Sequence, residues 1–281
     1  MAEKGIVFGK GFLGTRIAQE LGYDSVGREV DVTNFDSVRS FLDFGKPPVV
    51  INAIGKTGGP GAIGIDWCET HQEETFESNV VVPRNLAIAC SDLGIYFVHL
   101  GSGCIYRGNN NGQGFSEQDT PNFNGHQFYA QTKIMAEQSL RGLPGLNLRI
   151  RMPIDDSPHP RNLVDKLKSY ERVIVVPNSM TTIPHALPVI KSLIERRRQG
   201  TYNLVNPGTI TASRIMSLYQ QLVDPSHFFT MMTLDELNSI TKARRSNCVL
   251  STEKLKSEGL EMPPIDEAVK QCLTRYREHL K

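Results

Sequence analysis

Tyr129 and Lys133 stand four residues apart in Tyr129-Ala130-Gln131-Thr132-Lys133. On a helix that spacing puts both side chains on one face, about one turn apart, where an ammonium stabilises the anion of a neighbouring phenol. A phenol held in this way gives a proton to an oxygen, or takes one from it, while hydride moves at the adjoining carbon. A further hydroxyl for the same oxygen is Ser102, in Gly101-Ser102-Gly103-Cys104-Ile105-Tyr106. Y-x-x-x-K alone recurs by chance; what sets this one apart is its order along the chain, after a glycine loop and after a serine that follows an apolar run.

That glycine loop is Gly9-Lys10-Gly11-Phe12-Leu13-Gly14, a G-x-G-x-x-G between the strand-like Gly5-Ile6-Val7-Phe8 and a helical pattern over residues 12–21. In this context glycines permit a tight turn and close backbone approach, and the helix start offers unpaired N–H groups to a pyrophosphate. Gly9, Lys10, Gly11, Phe12, Leu13 and Gly14 are therefore expected at a dinucleotide. NAD enzymes commonly place an acid on the ribose hydroxyls after the second strand. Here Ser25-Val26-Gly27-Arg28 offers Arg28, whose guanidinium suits a 2'-phosphate, so NADP is the expected cofactor and NAD the alternative. Topology puts Asp31 and Val32 near the adenine, and Asn52, Ala53 and Ile54 near the ribose and pyrophosphate, with Tyr129 and Lys133 also at the cofactor.

The elements that must position these groups are legible as alternation. Val49-Val50-Ile51-Asn52-Ala53 and Tyr96-Phe97-Val98-His99-Leu100 are continuous apolar runs, as central strands covered on both faces require. Amphipathic stretches lie between the runs, which predicts βαβ units and a doubly wound parallel α/β sheet. A strand over 146–151 leads into Pro153, Pro158 and Pro160, so the dinucleotide-binding domain is expected over 1–152 and a smaller substrate-binding region over 153–281. In the latter we expect strands at 173–176 and 201–205, the second able to rejoin the main sheet, and helices at 183–198, 211–222 and 264–280. The active site is expected between the two regions, at the carboxyl ends of the strands.

Composition bounds the rest. The 281 residues carry 31 Lys and Arg against 30 Asp and Glu, and 39% of the chain is hydrophobic, a globular balance without the basic field that a nucleic-acid binder needs. No apolar run is long enough to span a bilayer, and the chain begins without a signal-peptide core, so a soluble, cytoplasmic protein is expected. Five scattered cysteines fit reduced thiols. The histidines lack metal-ligand spacing, and no metal site is expected. His99, inside an apolar strand, reads as a satisfied core residue; Trp67 reads as core or lid, and Arg196-Arg197-Arg198 as a solvated helix end.

The chain resembles the extended short-chain dehydrogenase/reductases, near the nucleotide-sugar 4-ketoreductases, and is similar along nearly its whole length to the nucleotide-rhamnose synthase/epimerase-reductases. The matching segments include Asp66-Trp67-Cys68-Glu69-Thr70-His71, Gly114-Phe115-Ser116-Glu117, Arg149-Ile150-Arg151-Met152-Pro153-Ile154, Pro160-Arg161-Asn162, Pro177-Asn178-Ser179-Met180-Thr181 and Arg245-Ser246-Asn247. The resemblance implies conversion of UDP-4-keto-6-deoxy-D-glucose to UDP-L-rhamnose, by 3,5-epimerisation and then NADPH-dependent reduction at C4. It makes Ser102, Tyr129 and Lys133 the reductase set and matches Cys104 and Lys166 to the family's epimerisation acid/base pair. A C4 ketone acidifies the C3 and C5 hydrogens, and inversion needs one group to remove a proton and another to return it; a thiol and an amine can both do so near neutrality. Ser102 and Cys104 are thus expected at the substrate, with Asn162 and Arg245 as donors to its diphosphate.

Departures are a glycine loop one residue shorter than the usual G-x-x-G-x-x-G, Pro83 where many relatives have glycine, and Arg244 in place of a proline. The alternatives are a plain 4-ketoreductase on an already epimerised dTDP or UDP sugar, and a non-catalytic nucleotide-binding regulatory subunit. The expected partners are the nucleotide sugar, a separate 4,6-dehydratase upstream and a second copy in a homodimer, with neither nucleic acid nor membrane.

Overall fold

A computed structural model of the chain describes residues 4–59, 62–123 and 127–280. The chain folds into two compact units. The first comprises Met1–Ser102, Phe128–Leu148 and Lys191–Tyr202; the second comprises Gly103–Gln127, Arg149–Ile190 and Asn203–Lys281.

The main sheet has six strands: Ile6–Phe8, Asp24–Val26, Val49–Asn52, Tyr96–Ser102, Leu146–Ile150 and Gly200–Asn203. Numbered in chain order within the sheet, they run 2-1-3-4-5-6. Ile6 pairs in parallel with Asp24 on one side and Val50 on the other, and Asn52 pairs in parallel with His99. This is the doubly wound parallel α/β fold that the alternating pattern predicts. Its switch point lies between Ile6–Phe8 and Val49–Asn52, where the strand order reverses; sheets of this kind bind ligands there, outside the carboxyl ends of the strands. Val50, Phe8, Phe97, Val38, Leu42 and Leu86 join in one core under the helices of that unit. The two apolar runs are buried at every position of Val49–Asn52 and Tyr96–Ser102.

Pro83 explains an irregularity in one of the covering helices. The helical segments Gln72–Phe76 and Val82–Asp92 are joined by a π-turn, Glu77–Val81. A proline has no N–H for the preceding turn and its ring crowds the carbonyl four residues back, so a locally widened turn just before it relieves both problems.

In the second unit, Leu163–Lys168, Ala212–Leu222 and Ile265–Glu278 are helices, packed through Val164, Leu167, Ile215, Met216, Val269 and Leu273. A two-stranded parallel sheet pairs Arg172–Ile174 with Thr230–Met232, a shorter strand than the 173–176 pattern suggests. The helix expected over 183–198 ends at Glu195. Arg197 has a positive φ of 49°, and its guanidinium donates to the Pro48 carbonyl at 3.1 Å and lies 5.0 Å from the Tyr96 ring. The arginine run therefore includes a latch within the first unit rather than only a solvated helix end. No helix among the described residues is long and apolar enough to cross a membrane.

Candidate active site

In the first unit the glycine loop sits at the sheet's switch point. Gly9 has φ 110°, and a Cβ there would meet the Ala53 and Ile54 backbone at 3.0–3.1 Å. A Cβ on Gly14 would stand 1.8 Å from the Gly9 carbonyl oxygen, so only glycine lets the helix start this close to the turn. Gly11 differs: nothing lies within 4 Å of a Cβ placed on it. It precedes the helix Phe12–Leu21 without a side-chain cap, so the open space beside it adjoins helix N–H groups of the kind that take a pyrophosphate. Phe12 is buried in the sheet-helix interior and Leu13 half-buried. The neighbouring strand end is ordered by Asn52, whose Oδ1 accepts from Ile54 N–H at 3.0 Å and whose Nδ2 meets His99 Nδ1 at 3.1 Å. The cradle fits a dinucleotide.

After the second strand, Arg28 is exposed. The residue beside it is an acid. Glu29 pairs with Lys10 of the glycine loop and accepts from Gly27 N–H at 2.5 Å; the Lys10 hydrogen bond is the main cause that holds its carboxyl at about 2. Arg28 stands out in the sequence and the carboxylate beside it does not, because its partner lies in a different loop. Asp31 accepts from Thr33 N–H and Oγ1 at 3.0 and 2.6 Å in a side-chain turn, which lowers its carboxyl below the usual range. Val32 packs against the core, and Asn85 Nδ2 donates to its carbonyl at 3.3 Å.

Tyr129 and Lys133 lie on the helix Phe128–Ser139 and are 9% and 5% exposed. The Lys133 ammonium donates to the Leu100 carbonyl at 3.2 Å, two residues before Ser102 at the end of its strand. Ser102 is itself 4% exposed. This bond ties the Tyr-Lys helix to the strand that carries the serine. Two residues absent from the expected site hold the same helix. Glu69 Oε1 accepts from Phe128 N–H at 2.8 Å, placing a carboxylate at the positive end of the helix. Asn79, inside the π-turn, accepts from Lys56 N–H at 2.7 Å and donates to the Lys56 carbonyl and to Thr132 Oγ1 at 3.2 and 3.1 Å. No short-range pattern announces either contact; the only local signal was Pro83 inside a helical stretch.

His99 is 1% exposed, and burial followed by the nearby Lys133 charge drives its imidazole pKa well below the ordinary value. It is neutral, as a core histidine should be, but only half satisfied: Nε2 lacks a hydrogen-bond partner among the described residues. Trp67 stacks on His71 at 4.0 Å with Lys56 over its ring at 4.8 Å.

In the second unit, Cys104 is half-buried and its Sγ accepts from the Arg151 guanidinium at 3.2 Å. Met152, the next residue along from Arg151, has φ 42°, a left-handed backbone that costs a non-glycine residue about 1–2 kcal/mol. Lys166 is half-buried on the helix Leu163–Lys168, and desolvation, then the Arg161 charge, lowers its ammonium pKa. Asn162 is fully buried at the start of that helix. Its Oδ1 accepts from Val164 and Asp155 N–H, each at 3.2 Å, and its Nδ2 donates to the Asp155 and Ser157 carbonyls at 3.0 and 2.9 Å. The amide is thus spent on the loop that leads into Lys166. Arg245 is half-buried and donates to the Ala243 carbonyl at 2.9 Å. All five cysteines are free thiols, and no group of three or more His, Cys, Asp and Glu among the described residues is arranged to hold a metal ion.

Known proteins are similar to this chain. Residues 6–278 match the RmlD substrate binding domain family. The chain is 38% identical over 240 residues to a bifunctional dTDP-4-dehydrorhamnose 3,5-epimerase/dTDP-4-dehydrorhamnose reductase of Arabidopsis thaliana, covering 83% of this chain and 78% of the plant protein. It is 36% identical over 231 residues to a trifunctional UDP-glucose 4,6-dehydratase/UDP-4-keto-6-deoxy-D-glucose 3,5-epimerase/UDP-4-keto-L-rhamnose-reductase of the same plant, 80% of this chain but 34% of that one. The crystal structure of a UDP-rhamnose synthase from Acanthamoeba polyphaga mimivirus superposes with a TM-score of 0.91 at 33% identity, over 97% of this chain and 99% of that one. With a glycine cradle at the switch point, a tethered Tyr-Lys helix and a match over nearly every residue, the chain belongs to the RmlD substrate binding domain family of short-chain dehydrogenase/reductase proteins.

Proposed function

We propose that the protein is a bifunctional 3,5-epimerase and NADPH-dependent 4-ketoreductase that converts UDP-4-keto-6-deoxy-D-glucose to UDP-L-rhamnose. The observation that carries this reading is the bond from Lys133 to the Leu100 carbonyl. It ties the Tyr129 helix to the strand that ends at Ser102, two residues before Cys104 in the chain. In this reading the hydroxyls of Ser102 and Tyr129 polarise the oxygen and the thiol that follows Ser102 in the chain works on the adjacent carbons. The names of the plant and viral relatives, both drawn from rhamnose synthesis, support the same substrate class.

In this reading Ser102 and Tyr129 donate to O4 of the keto sugar. Their hydroxyls stabilise the enolate that forms when a proton leaves C3 or C5, and Cys104 and Lys166 exchange those protons from opposite faces of the ring. A bound nicotinamide would supply the hydride for C4, and Tyr129, with Lys133 behind it, delivers the proton that completes the alcohol. Gly9, Lys10, Gly11 and Gly14 would hold the cofactor pyrophosphate, and Arg28 its 2'-phosphate. Arg245 assists at the sugar diphosphate, and Asn162 acts through the loop that it shapes. The substrate comes from a separate 4,6-dehydratase, an activity named in the trifunctional plant relative, and the working form is a cytoplasmic homodimer.

Supplying the un-epimerised UDP-4-keto sugar with NADPH tests the reading. The expected outcome is cofactor oxidation with formation of UDP-L-rhamnose, and in heavy water deuterium at both C3 and C5. A product reduced at C4 without inversion would leave a plain reductase, and absence of NADPH consumption would leave a binding protein.

A further inference from the structure

The second strand of the sheet ends at Val26, whose carbonyl accepts from Gly9 N–H at 2.8 Å. The glycine loop and the segment after the strand therefore start side by side. In dinucleotide-binding sheets that segment meets the adenosine ribose: an acid accepts from the hydroxyls of NAD, and a cation pairs with the 2'-phosphate of NADP. Here it carries both kinds of group, the cation Arg28 and the acids Glu29 and Asp31.

Asp31 is already engaged, since its Oδ1 accepts from Thr33 N–H and Thr33 Oγ1 at 3.0 and 2.6 Å. Glu29 is engaged differently. One of its oxygens pairs with the Lys10 ammonium and the other accepts from Gly27 N–H at 2.5 Å. Glycine leaves the room for this: a Cβ at position 27 would stand 3.0 Å from Glu29 Oε2 and 3.1 Å from Lys10 Cδ. The Lys10 backbone belongs to the pyrophosphate turn, so only its ammonium is free to change partner. Both side chains of the pair are exposed, and an exposed ion pair contributes little because water competes for each charge. A phosphate monoester carries nearly two negative charges near neutrality and three acceptor oxygens, enough to draw the ammonium away from a single carboxylate.

We propose that Glu29 is a specificity-determining residue for the cofactor: it holds the Lys10 ammonium in the free protein, cedes it to a 2'-phosphate, and accepts from the ribose hydroxyls when that phosphate is absent. The inference rests on the cofactor reading above. One site then takes NADPH through Lys10 and Arg28, and NADH through Glu29. The Lys10–Glu29 pair moderates the preference between them, because a 2'-phosphate must part the two before it gains the ammonium.

Calorimetry with ADP-ribose and 2'-phospho-ADP-ribose tests this, since neither probe carries nicotinamide and both report binding without turnover. The native protein should bind both, the phosphorylated probe more tightly by less than about tenfold. Glu29→Gln keeps the shape and removes the charge. It should tighten the phosphorylated probe and weaken the other, moving the ratio of affinities at least about tenfold, the scale of one hydrogen bond to a charged group. Lys10→Met should move the ratio the opposite way, by weakening the phosphorylated probe alone. Equal weakening of both probes by Lys10→Met would place the ammonium at the pyrophosphate and overturn the proposal, as would a native protein that binds the phosphorylated probe only. A ratio unmoved by Glu29→Gln in a protein that binds both probes would overturn it and leave the cofactor reading standing; a native protein that binds neither probe would sink both.

Discussion

Asn79 Nδ2 donates to Thr132 Oγ1 at 3.1 Å, joining a π-turn to the middle of the helix that carries Tyr129 and Lys133. The same side chain clasps both backbone groups of Lys56, in the segment that leaves the third strand of the sheet. One buried amide thus sets the spacing between that segment and the helix of Tyr129 and Lys133. Asn79→Ala should lose about 1–3 kcal/mol of stability, the ordinary consequence of leaving buried partners unpaired. It should also lower kcat by roughly ten- to a hundredfold through misplacement of Tyr129. Denaturant unfolding and steady-state rates check both, and a variant that loses stability but keeps its kcat would show the amide to be a structural clasp alone.

Glycine positions separate two roles that share one motif. A Cβ on Gly14 collides with the Gly9 carbonyl, whereas one on Gly11 meets no protein atom. Gly14→Ala should therefore destabilise the fold, while Gly11→Ala should leave the melting temperature within about 1 °C and weaken NADPH binding at least tenfold. Calorimetry and cofactor fluorescence distinguish the two, and normal NADPH affinity in Gly11→Ala would remove the glycine loop from the pyrophosphate.

The sheet was legible because its signal is local. Val49-Val50-Ile51-Asn52-Ala53 and Tyr96-Phe97-Val98-His99-Leu100 are uninterrupted apolar runs, and burial on both faces leaves little else that such runs can be. The glycine loop and Y-x-x-x-K were equally visible, each being a spacing along a single element. What stayed hidden are pairings between distant positions: Glu69 with Phe128 across 59 residues, Asn79 with Thr132 across 53, and Arg151 with Ser246 across 95. Asn162 shows the converse. An amide donor suits phosphate oxygens, and what the sequence does not display is that this amide bonds Asp155, Ser157 and Val164 in its own segment.

Acid should destabilise the protein within a definite window. Glu29, held chiefly by Lys10, Glu236, held chiefly by the Thr233 backbone and then Arg172, and Asp266, held chiefly by Arg214 and then Lys270, all sit at about 2. Their folded values lie below the ordinary carboxylate values near 4. Each contribution is therefore complete above that range and is lost as pH falls through it toward 2. Melting temperature should be level from about pH 7 to 5 and decline below about pH 4.5. These carboxylates are exposed, so high salt should shrink the decline; an equal decline at high salt would place the acid-sensitive groups in the interior.

Tyr276 offers a way to perturb Lys166 without touching it. Its Oη donates to Asp165 at 2.7 Å and accepts from Lys168 at 2.9 Å, while Lys168 pairs with Asp165 at 2.8 Å. Burial is the main cause that raises the phenol to about 12, so it remains a neutral donor. The helix Leu163–Lys168 has six residues, too few to persist without tertiary support, and this triad fastens it to the helix Ile265–Glu278. Tyr276→Phe removes both phenol bonds but keeps the ring in its fully buried place, and should lower stability by about 1–2 kcal/mol. In the epimerase reading it should also slow deuterium entry at C3 and C5 several-fold, because Lys166 loses its fixed support. Reduction of an already inverted keto sugar should stay near the native rate, since Tyr129 and Lys133 belong to a different helix. Equal loss of both rates would mean that the triad stabilises the protein as a whole, and unchanged labelling would mean that Lys166 does not depend on it.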